Sequence, residues 1–282
     1  MAAAQQKFSP SDYKGDIKPV WCPGCGDYGV YNALLNALSL KNYNPWEVAL
    51  ISGIGCSSRT PSFLKVYGFH TVHGRALAVA SGLKLARPDL HVIVVGGDGD
   101  GISIGGGHFM HASRRNIELP YIMMNNSIYG QTKGQASPTT LEDAITRSTP
   151  YGVFDKPLNP TAVAIVTGAT YVARGFAGNL KQLTEIIVKA LEHKGFAFVE
   201  AVSPCVTFNN TYASIRARAK DIDESHDVTN KIQALDLALK ESPLYFGILY
   251  DVQLPTMNDK IRALIDKMKG KTTLEELLTS SA

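Results

Sequence analysis

A glycine-rich turn and an asparagine pair carry residue types that bind a phosphorylated ligand together with a metal ion. Residues 96–101 read Gly-Gly-Asp-Gly-Asp-Gly, and Asn125-Asn126 follow the next apolar run. Glycines let the backbone come close to a ligand and present its N–H groups to phosphate oxygens. The Asp98 carboxylate and the Asn126 amide are hard oxygen donors of the kind that Mg²⁺ prefers, with a diphosphate completing the coordination.

Two other interpretations of this turn are weaker. A plain glycine-rich strand-to-helix turn followed by an asparagine-rich loop does not explain why both halves occur at this separation on these elements. A dinucleotide-binding G-x-G-x-x-G motif has its glycines in another order. Its acidic residue also lies on the next strand, whereas Asp98 lies between the glycines.

The four cysteines form a second candidate site. Cys22 and Cys25 make a Cys-x-x-Cys loop, Cys56 lies in another glycine-rich loop, and Cys205 follows an apolar run. Because disulfides are rare in cytoplasmic proteins, a metal or cluster site is the better expectation. Four thiolates bind one Zn²⁺ or one [4Fe–4S] cluster with equal stoichiometry, and the spacing does not decide between them. The cysteines alone slightly favour structural zinc.

The elements around these residues predict an α/β fold with a mainly parallel sheet flanked by helices. Short apolar runs predict strands at 47–51, 90–95, 120–124, 171–174 and 196–202, and helical spacing predicts helices over 28–40, 75–86, about 102–115, 161–167, 179–193, 229–240, 258–269 and 272–278. Carboxyl ends of parallel strands form the ligand crevice, and both glycine-rich turns follow such ends. We expect one domain over residues 1–205 and a C-terminal extension over 206–282, which includes an apolar segment at 245–254.

Composition excludes several classes of protein. The chain has 282 residues and a net charge of +3, which is too small to indicate nucleic-acid binding. It has no apolar stretch long enough to cross a bilayer, and its first residues lack the apolar core of a signal peptide. We therefore expect a cytoplasmic protein that binds neither nucleic acid nor a membrane.

Several motifs, in order along the chain, resemble one family. They are Cys-Pro-Gly-Cys-Gly at 22–26, Gly-Ile-Gly-Cys-Ser-Ser at 53–58, His-Gly-Arg-Ala at 73–76, Gly-Asp-Gly-Asp at 97–100, Tyr-Gly-Gln-Thr-Lys-Gly-Gln at 129–135 and Ser-Pro-Cys at 203–205. The Gly-Asp-Gly turn followed by Asn-Asn resembles the thiamine diphosphate motif. The set as a whole resembles the β subunit of the 2-oxoacid:ferredoxin oxidoreductases.

The resemblance implies three bound groups and the residues that hold them. It implies one [4Fe–4S] cluster on Cys22, Cys25, Cys56 and Cys205. It implies Mg²⁺ on Asp98, Asn126 and the Ile128 carbonyl. It also implies that thiamine diphosphate is lined by Ile54, Gly55, Cys56, Ser57, His73, Gly99, Asp100, Gly130 and Gln131. With a thiamine cofactor present, the cluster becomes the better interpretation of the cysteines, because it gives the electrons of the cofactor an acceptor.

The implied reaction is the CoA-dependent oxidative decarboxylation of a 2-oxoacid such as pyruvate or 2-oxoglutarate, with reduction of ferredoxin. The implied partners are an α subunit, or separate α and γ chains, and a separate ferredoxin. Arg59 and Lys133 are the candidate residues for binding substrate or CoA anions, although a loop lysine is usually a solvated surface residue. The alternatives are a non-redox thiamine decarboxylase or carboligase with structural zinc, and a non-catalytic scaffold subunit.

Overall fold

An eight-stranded sheet runs through the part of the chain that the computed structural model describes, which is residues 6–269 with residues 273, 276, 279 and 280. The strands are β1 Val48–Ser52, β2 Tyr67–His70, β3 His91–Gly97, β4 Leu119–Asn125, β5 Tyr171–Phe176, β6 Phe196–Val202, β7 Ala219–Asp221 and β8 Leu244–Asp251. The helices are α1 Asp27–Lys41, α2 Ala76–Ala86, α3 Gly106–Arg114, α4 Pro160–Thr167, α5 Leu180–Glu192, α6 Tyr212–Arg218, α7 Lys231–Leu239 and α8 Met257–Met268. The predicted helix over 272–278 falls mostly outside the described residues.

The order of the strands places four loops next to one another. The sheet runs β2-β1-β3-β4-β6-β5-β8-β7, and every pairing is parallel except that of β5 with β8. This confirms the predicted mainly parallel sheet with flanking helices. Since β1, β3, β4 and β6 are consecutive in the sheet, the loops that follow them meet at its carboxyl edge.

Helices cover both faces of the central strands, which explains why those strands read as continuous apolar runs. On one face, Leu34 and Leu38 of α1 pack with Ile186 of α5 against the sheet. On the other face, Phe109 of α3 and Ile165 of α4 belong to a second buried cluster. The strands are therefore held rigidly enough to fix the loops at their carboxyl ends.

Three strands differ from the sequence-based assignment. The edge strands β2 and β7 were not predicted, and the apolar segment at 245–254 contains most of β8. The residues after 205 thus extend the same sheet through β7 and β8, while the division of the chain at residue 205 stays a prediction. Among the described residues, none of the helices combines the length and apolar character that a membrane span requires.

A buried ion pair joins β5 to β6. Arg174 and Glu200 are register partners, and Arg174 Nε donates to Glu200 Oε2 at 2.7 Å. Thr161 and Asn125 also donate to this carboxylate. Burial alone would raise the pKa of Glu200, but the Arg174 charge and these hydrogen bonds outweigh it and lower the pKa below its ordinary 4.5.

Replacing Arg174 with methionine leaves a buried carboxylate without its cation. We expect Arg174→Met to lower the free energy of unfolding by about 3–5 kcal/mol, measured by urea denaturation.

A carboxyl with a depressed pKa adds stability that is present above its unfolded pKa and is lost as the pH falls through its folded value. Unfolding free energy should therefore fall more steeply below pH 4.5 in the wild type than in Glu200→Gln, and equal slopes would contradict this assignment.

Candidate active site

A cavity of about 110 Å³ lies at the carboxyl edge of the sheet. It is lined by every residue predicted to contact thiamine diphosphate or Mg²⁺, namely Ile54, Gly55, Cys56, Ser57, His73, Asp98, Gly99, Asp100, Asn126, Ile128, Gly130 and Gln131. Gly97, Tyr129 and Thr132 complete the lining. The loops after β1, β3 and β4 thus converge as the parallel topology requires, and we call this space the glycine-loop cavity.

The Asp98 carboxylate is held from behind by two hydroxyls. Ser137 Oγ donates to Asp98 Oδ2 at 2.5 Å, and Thr139 Oγ1 donates to the same oxygen at 2.6 Å. Burial raises the pKa of Asp98, and the bonds from Ser137 and Thr139 offset part of that rise. On the facing loop, Asn126 Oδ1 accepts from Ile128 N–H at 3.0 Å, which keeps Asn126 and Ile128 in one turn. The Asp98 carboxylate, the Asn126 amide oxygen and the Ile128 carbonyl are hard oxygen donors, and such a set fits Mg²⁺.

Ser137 and Thr139 were missed by the sequence analysis, because they lie in a loop without a recognisable motif. Hydrogen-bond partners of metal ligands fix ligand orientation, and their loss typically weakens metal binding 10- to 100-fold. We expect the double variant Ser137→Ala, Thr139→Val to raise the Mg²⁺ concentration needed for thiamine diphosphate binding within that range, measured by calorimetry. Ser214→Ala is the matched control, because this exposed serine of α6 lines neither cavity described here and its hydroxyl donates to Thr211 O within its own turn. An unchanged Mg²⁺ requirement would show that these hydroxyls do not orient a ligand.

Asp100 ties the glycine-rich loops to one another. Its Oδ1 accepts from Ile54 N–H at 2.9 Å and from Gly74 N–H at 2.7 Å. His73 Nδ1 lies 3.1 Å from the same oxygen, without the alignment of a hydrogen bond. A side chain at Gly53 would place its Cβ only 1.9 Å from Asp100 Oδ2, so this close approach needs glycine. Asp100 therefore fixes the loops after β1 and β2 against the turn after β3.

All four cysteines line a second cavity, of about 90 Å³, which we call the cysteine cavity. Thiolates around one Zn²⁺ lie within about 4 Å of one another, given Zn–S bonds of about 2.3 Å in a tetrahedron. Over residues 6–269 and the four described beyond them, no three His, Cys, Asp or Glu side chains are grouped closely enough to hold a single ion. The structure thus brings all four thiols to one cavity.

Close backbone contacts bring the cysteine loops together. Gly26 N–H donates to Pro204 O at 3.1 Å, which places the Cys22–Cys25 loop against Cys205. Trp21 Nε1 donates to Cys56 O at 2.8 Å. Burial, followed by the charge of Asp27, raises the pKa of the Cys25 thiol, and the same two causes raise that of Cys56 to about 11. A metal group bound by these thiols would therefore displace protons from them.

Gly26 cannot carry a side chain in this arrangement. A Cβ there would lie 2.7 Å from the Ser203 backbone. We expect Gly26→Ala to push the Cys22–Cys25 loop away from Cys205 and to lower the iron content of the purified complex several-fold. Gly82→Ala is the matched control, because its Cβ meets nothing within 4 Å and helix α2 favours alanine by about 0.5–1 kcal/mol. Full iron content in Gly26→Ala would contradict the assigned contact.

The two cavities share a wall. Cys56, Asn126, Gly130 and Gln131 line both of them. A Cβ at Gly130 would lie 3.6 Å from Cys205 Sγ and 3.7 Å from Cys56 Sγ, so this part of the shared wall lies directly beside two of the thiols. A group in one cavity therefore lies one residue away from a group in the other.

The two candidate substrate-binding cations lie apart from each other. Arg59 is exposed and lines the cysteine cavity beside Gln131. Lys133 is exposed, lines neither cavity, and has the left-handed backbone angle φ +85°, which is uncommon outside glycine. The next residue, Gly134, has φ +97° and approaches the Phe208 ring too closely for any Cβ.

Comparison with known proteins identifies two family models in this chain and several curated relatives. Residues 53–201 match the model of the thiamine pyrophosphate enzyme C-terminal TPP-binding domain, and residues 205–266 match the model of the C-terminal part of the pyruvate ferredoxin oxidoreductase β subunit. The 2-oxoacid:ferredoxin oxidoreductase subunit beta of Saccharolobus solfataricus is 47% identical over 77% of this chain and 73% of its own. The 2-oxoglutarate synthase subunit KorB of Methanocaldococcus jannaschii is 40% identical over 89% of this chain and 94% of its own.

A solved structure extends the likeness to the whole chain. A chain of the 2-oxoglutarate:ferredoxin oxidoreductase from Magnetococcus marinus, solved with 2-oxoglutarate, coenzyme A and succinyl-CoA bound, superposes with a TM-score of 0.95. It is 42% identical, and the match covers 99% of this chain and 98% of that one. The chain described here belongs to the family of 2-oxoacid:ferredoxin oxidoreductase β subunits, with a thiamine pyrophosphate-binding domain over residues 53–201.

Proposed function

We propose that the chain is the β subunit of an enzyme that oxidises a 2-oxoacid with CoA. The 2-oxoacid and CoA give acyl-CoA, CO₂, one proton and two electrons, and two ferredoxins each take one electron. The bond that breaks joins the carboxylate to the ketone carbon, and the bond that forms joins that carbon to the CoA sulfur. Pyruvate and 2-oxoglutarate are the proposed substrates, and the ligands in the Magnetococcus marinus relative favour 2-oxoglutarate.

The observation that carries this proposal is the wall shared by the two cavities. A thiamine enzyme without redox chemistry has no need of a cysteine site beside its cofactor. Here Cys56 belongs to both cavities, and Asn126, Gly130 and Gln131 line both with it. Electrons released in the glycine-loop cavity therefore have an acceptor site next to them.

The residues present fit a diphosphate with its metal ion. Asp98, Asn126 and the Ile128 carbonyl would hold Mg²⁺, and the glycine-rich turn would present backbone N–H groups to the phosphate oxygens. His73, at the edge of the same cavity, would donate to the diphosphate. When bound, thiamine diphosphate supplies a carbon nucleophile for the ketone and accepts the electron pair left by CO₂. Tyr129 packs on Gly99 at the lining of this cavity, and its hydroxyl donates to Gly99 O at 3.2 Å.

The residues of the cysteine cavity fit a [4Fe–4S] cluster, held by Cys22, Cys25, Cys56 and Cys205. Such a cluster supplies a one-electron acceptor between the thiamine site and ferredoxin. We assign Arg59 and Lys133 to anionic groups of the substrate or of CoA. Backbone strain is concentrated at functional positions, and the left-handed Lys133 beside Gln131 and Thr132 is consistent with this assignment.

Activity also depends on partner subunits. Thiamine activation needs a carboxylate beside the aminopyrimidine ring, which this family places on a partner subunit. We propose that this chain is inactive without its α subunit, or its α and γ chains, and that ferredoxin is a separate protein. We also propose a cytoplasmic location and a C-terminal extension over residues 206–282.

The test is analysis of the purified native complex. We expect about four irons and four acid-labile sulfides for each β subunit, with a broad visible absorbance that dithionite bleaches. A panel of 2-oxoacids assayed with CoA and ferredoxin identifies the substrate. Stoichiometric zinc without sulfide, together with CoA-independent decarboxylation, would instead establish the non-redox thiamine enzyme.

A further inference from the structure

Asp27 is a buried carboxylate that the proposed function does not use. It is the first residue of α1, two residues after Cys25, and its exposed fraction is 1%. Ser203 Oγ donates to its Oδ1 at 2.6 Å. Its Oδ2 is buried and has no hydrogen-bond partner among the described residues. A carboxylate with an unpaired buried oxygen is costly, so its presence needs an explanation.

The carboxylate lies close enough to the cysteines to act on them electrostatically. Gly26, which lies between Cys25 and Asp27, donates its N–H to Pro204 O at 3.1 Å, so Asp27 lies where the Cys22–Cys25 loop meets the Cys205 loop. Ser203, which holds Asp27, is two residues from Cys205. The buried Asp27 carboxylate is therefore two residues from Cys25 in the chain and is hydrogen-bonded to a residue two positions from Cys205.

A structural role does not require this charge. An asparagine at the same position would accept the hydrogen bond from Ser203 with its carbonyl oxygen and would join the same two loops. It would do so without placing a negative charge in a poorly solvated site. What aspartate adds over asparagine is the charge itself.

We propose that the Asp27 carboxylate lowers the reduction potential of the cluster bound by the four cysteines. This inference rests on the proposed function, because it needs the [4Fe–4S] cluster to be present. Reduction of the cluster by one electron adds a negative charge to the cavity, and a fixed negative charge nearby opposes that addition. Net charge and solvent exposure are among the factors that set such potentials. Asp27 thus makes the reduced cluster a stronger electron donor to ferredoxin.

The experiment is a redox titration of the native complex at about pH 8, with dithionite and low-potential dyes, followed by electron paramagnetic resonance. We expect Asp27→Asn to favour reduction at least tenfold, which is about 59 mV for one electron. Ser203→Ala is the matched control, since it removes the hydrogen bond and keeps the charge. The reduction potential of the cluster in Ser203→Ala should not rise above the wild-type value.

Several outcomes would overturn the inference. They are an unchanged potential in Asp27→Asn, or an equal rise in Ser203→Ala. Asp27→Ser serves as a second neutral variant if Asp27→Asn does not retain iron and sulfide, and loss of the cluster from both variants would leave Asp27 a purely structural role. A wild-type complex without iron and sulfide would instead refute the proposed function, so the two failures are distinguishable.

Discussion

Asp98→Asn is expected to abolish CoA-dependent oxidation of the 2-oxoacid by the assembled complex. Asp98 is a buried carboxylate that lines the glycine-loop cavity together with Asn126 and Ile128. Asparagine keeps the shape and loses the charge that attracts Mg²⁺. We expect Mg²⁺-dependent binding of thiamine diphosphate to weaken by more than about 100-fold, beyond the effect of losing a partner of a metal ligand. Calorimetry and ferredoxin reduction measure the two effects.

The control for this variant is Asp266→Asn, which removes a carboxylate from the exposed face of α8. It should leave cofactor binding and turnover at wild-type values. Iron and sulfide should be unchanged in both variants, because Asp98 does not line the cysteine cavity. If 2-oxoacid oxidation survives undiminished in Asp98→Asn, the chain is a scaffold subunit and its thiamine site is not catalytic.

Cys205→Ser is expected to remove the iron–sulfur cluster and to leave thiamine diphosphate bound. Cys205, like Cys22 and Cys25, lines the cysteine cavity only, whereas Cys56 lines both cavities, so replacing Cys205 removes a proposed ligand without changing the lining of the glycine-loop cavity. Serine is a poor ligand for iron compared with a thiolate. We expect iron and sulfide to fall to near zero and ferredoxin reduction to be lost, with thiamine diphosphate bound as in the wild type.

Asp98→Asn and Cys205→Ser act as controls for each other. The first should lose the cofactor and keep the iron, and the second should lose the iron and keep the cofactor. Cys205→Ser with full iron and normal ferredoxin reduction would show that this cysteine is not a ligand. Loss of both groups from either variant would show that the two cavities fold as one unit and cannot be emptied separately.

The sequence predicted the central strands because both of their faces are buried. Val48–Ser52 and Phe196–Val202 lie under helices on each side, and this produces the continuous apolar runs that were recognised. The edge strand β2 has no such signal, since all four of its residues are exposed. Strand β8 pairs antiparallel with β5 across about seventy residues of chain, and no local pattern encodes that partner.

Candidate site residues were predictable where a metal-binding residue type lies within a recognisable glycine-rich turn. Asp98 and the glycines around it are one example, because a glycine-rich turn at a strand end has few other uses. Ser137 and Thr139 could not be found in this way, since ordinary loop hydroxyls gain their role only through tertiary contact with Asp98. The roles of Arg59 and Lys133 stay predictions, because the sequence does not show where the side chain of a cation in a loop points.

The central claim is that electrons pass from the glycine-loop cavity to the cysteine cavity across the Gly130–Gln131 wall. The most direct measurement is rapid freeze-quench electron paramagnetic resonance of the native complex mixed with its 2-oxoacid in the absence of ferredoxin. We expect the signal of a one-electron-reduced [4Fe–4S] cluster to appear with the release of CO₂, and to be absent from Asp98→Asn. CO₂ released while the cluster stays oxidised would contradict the account.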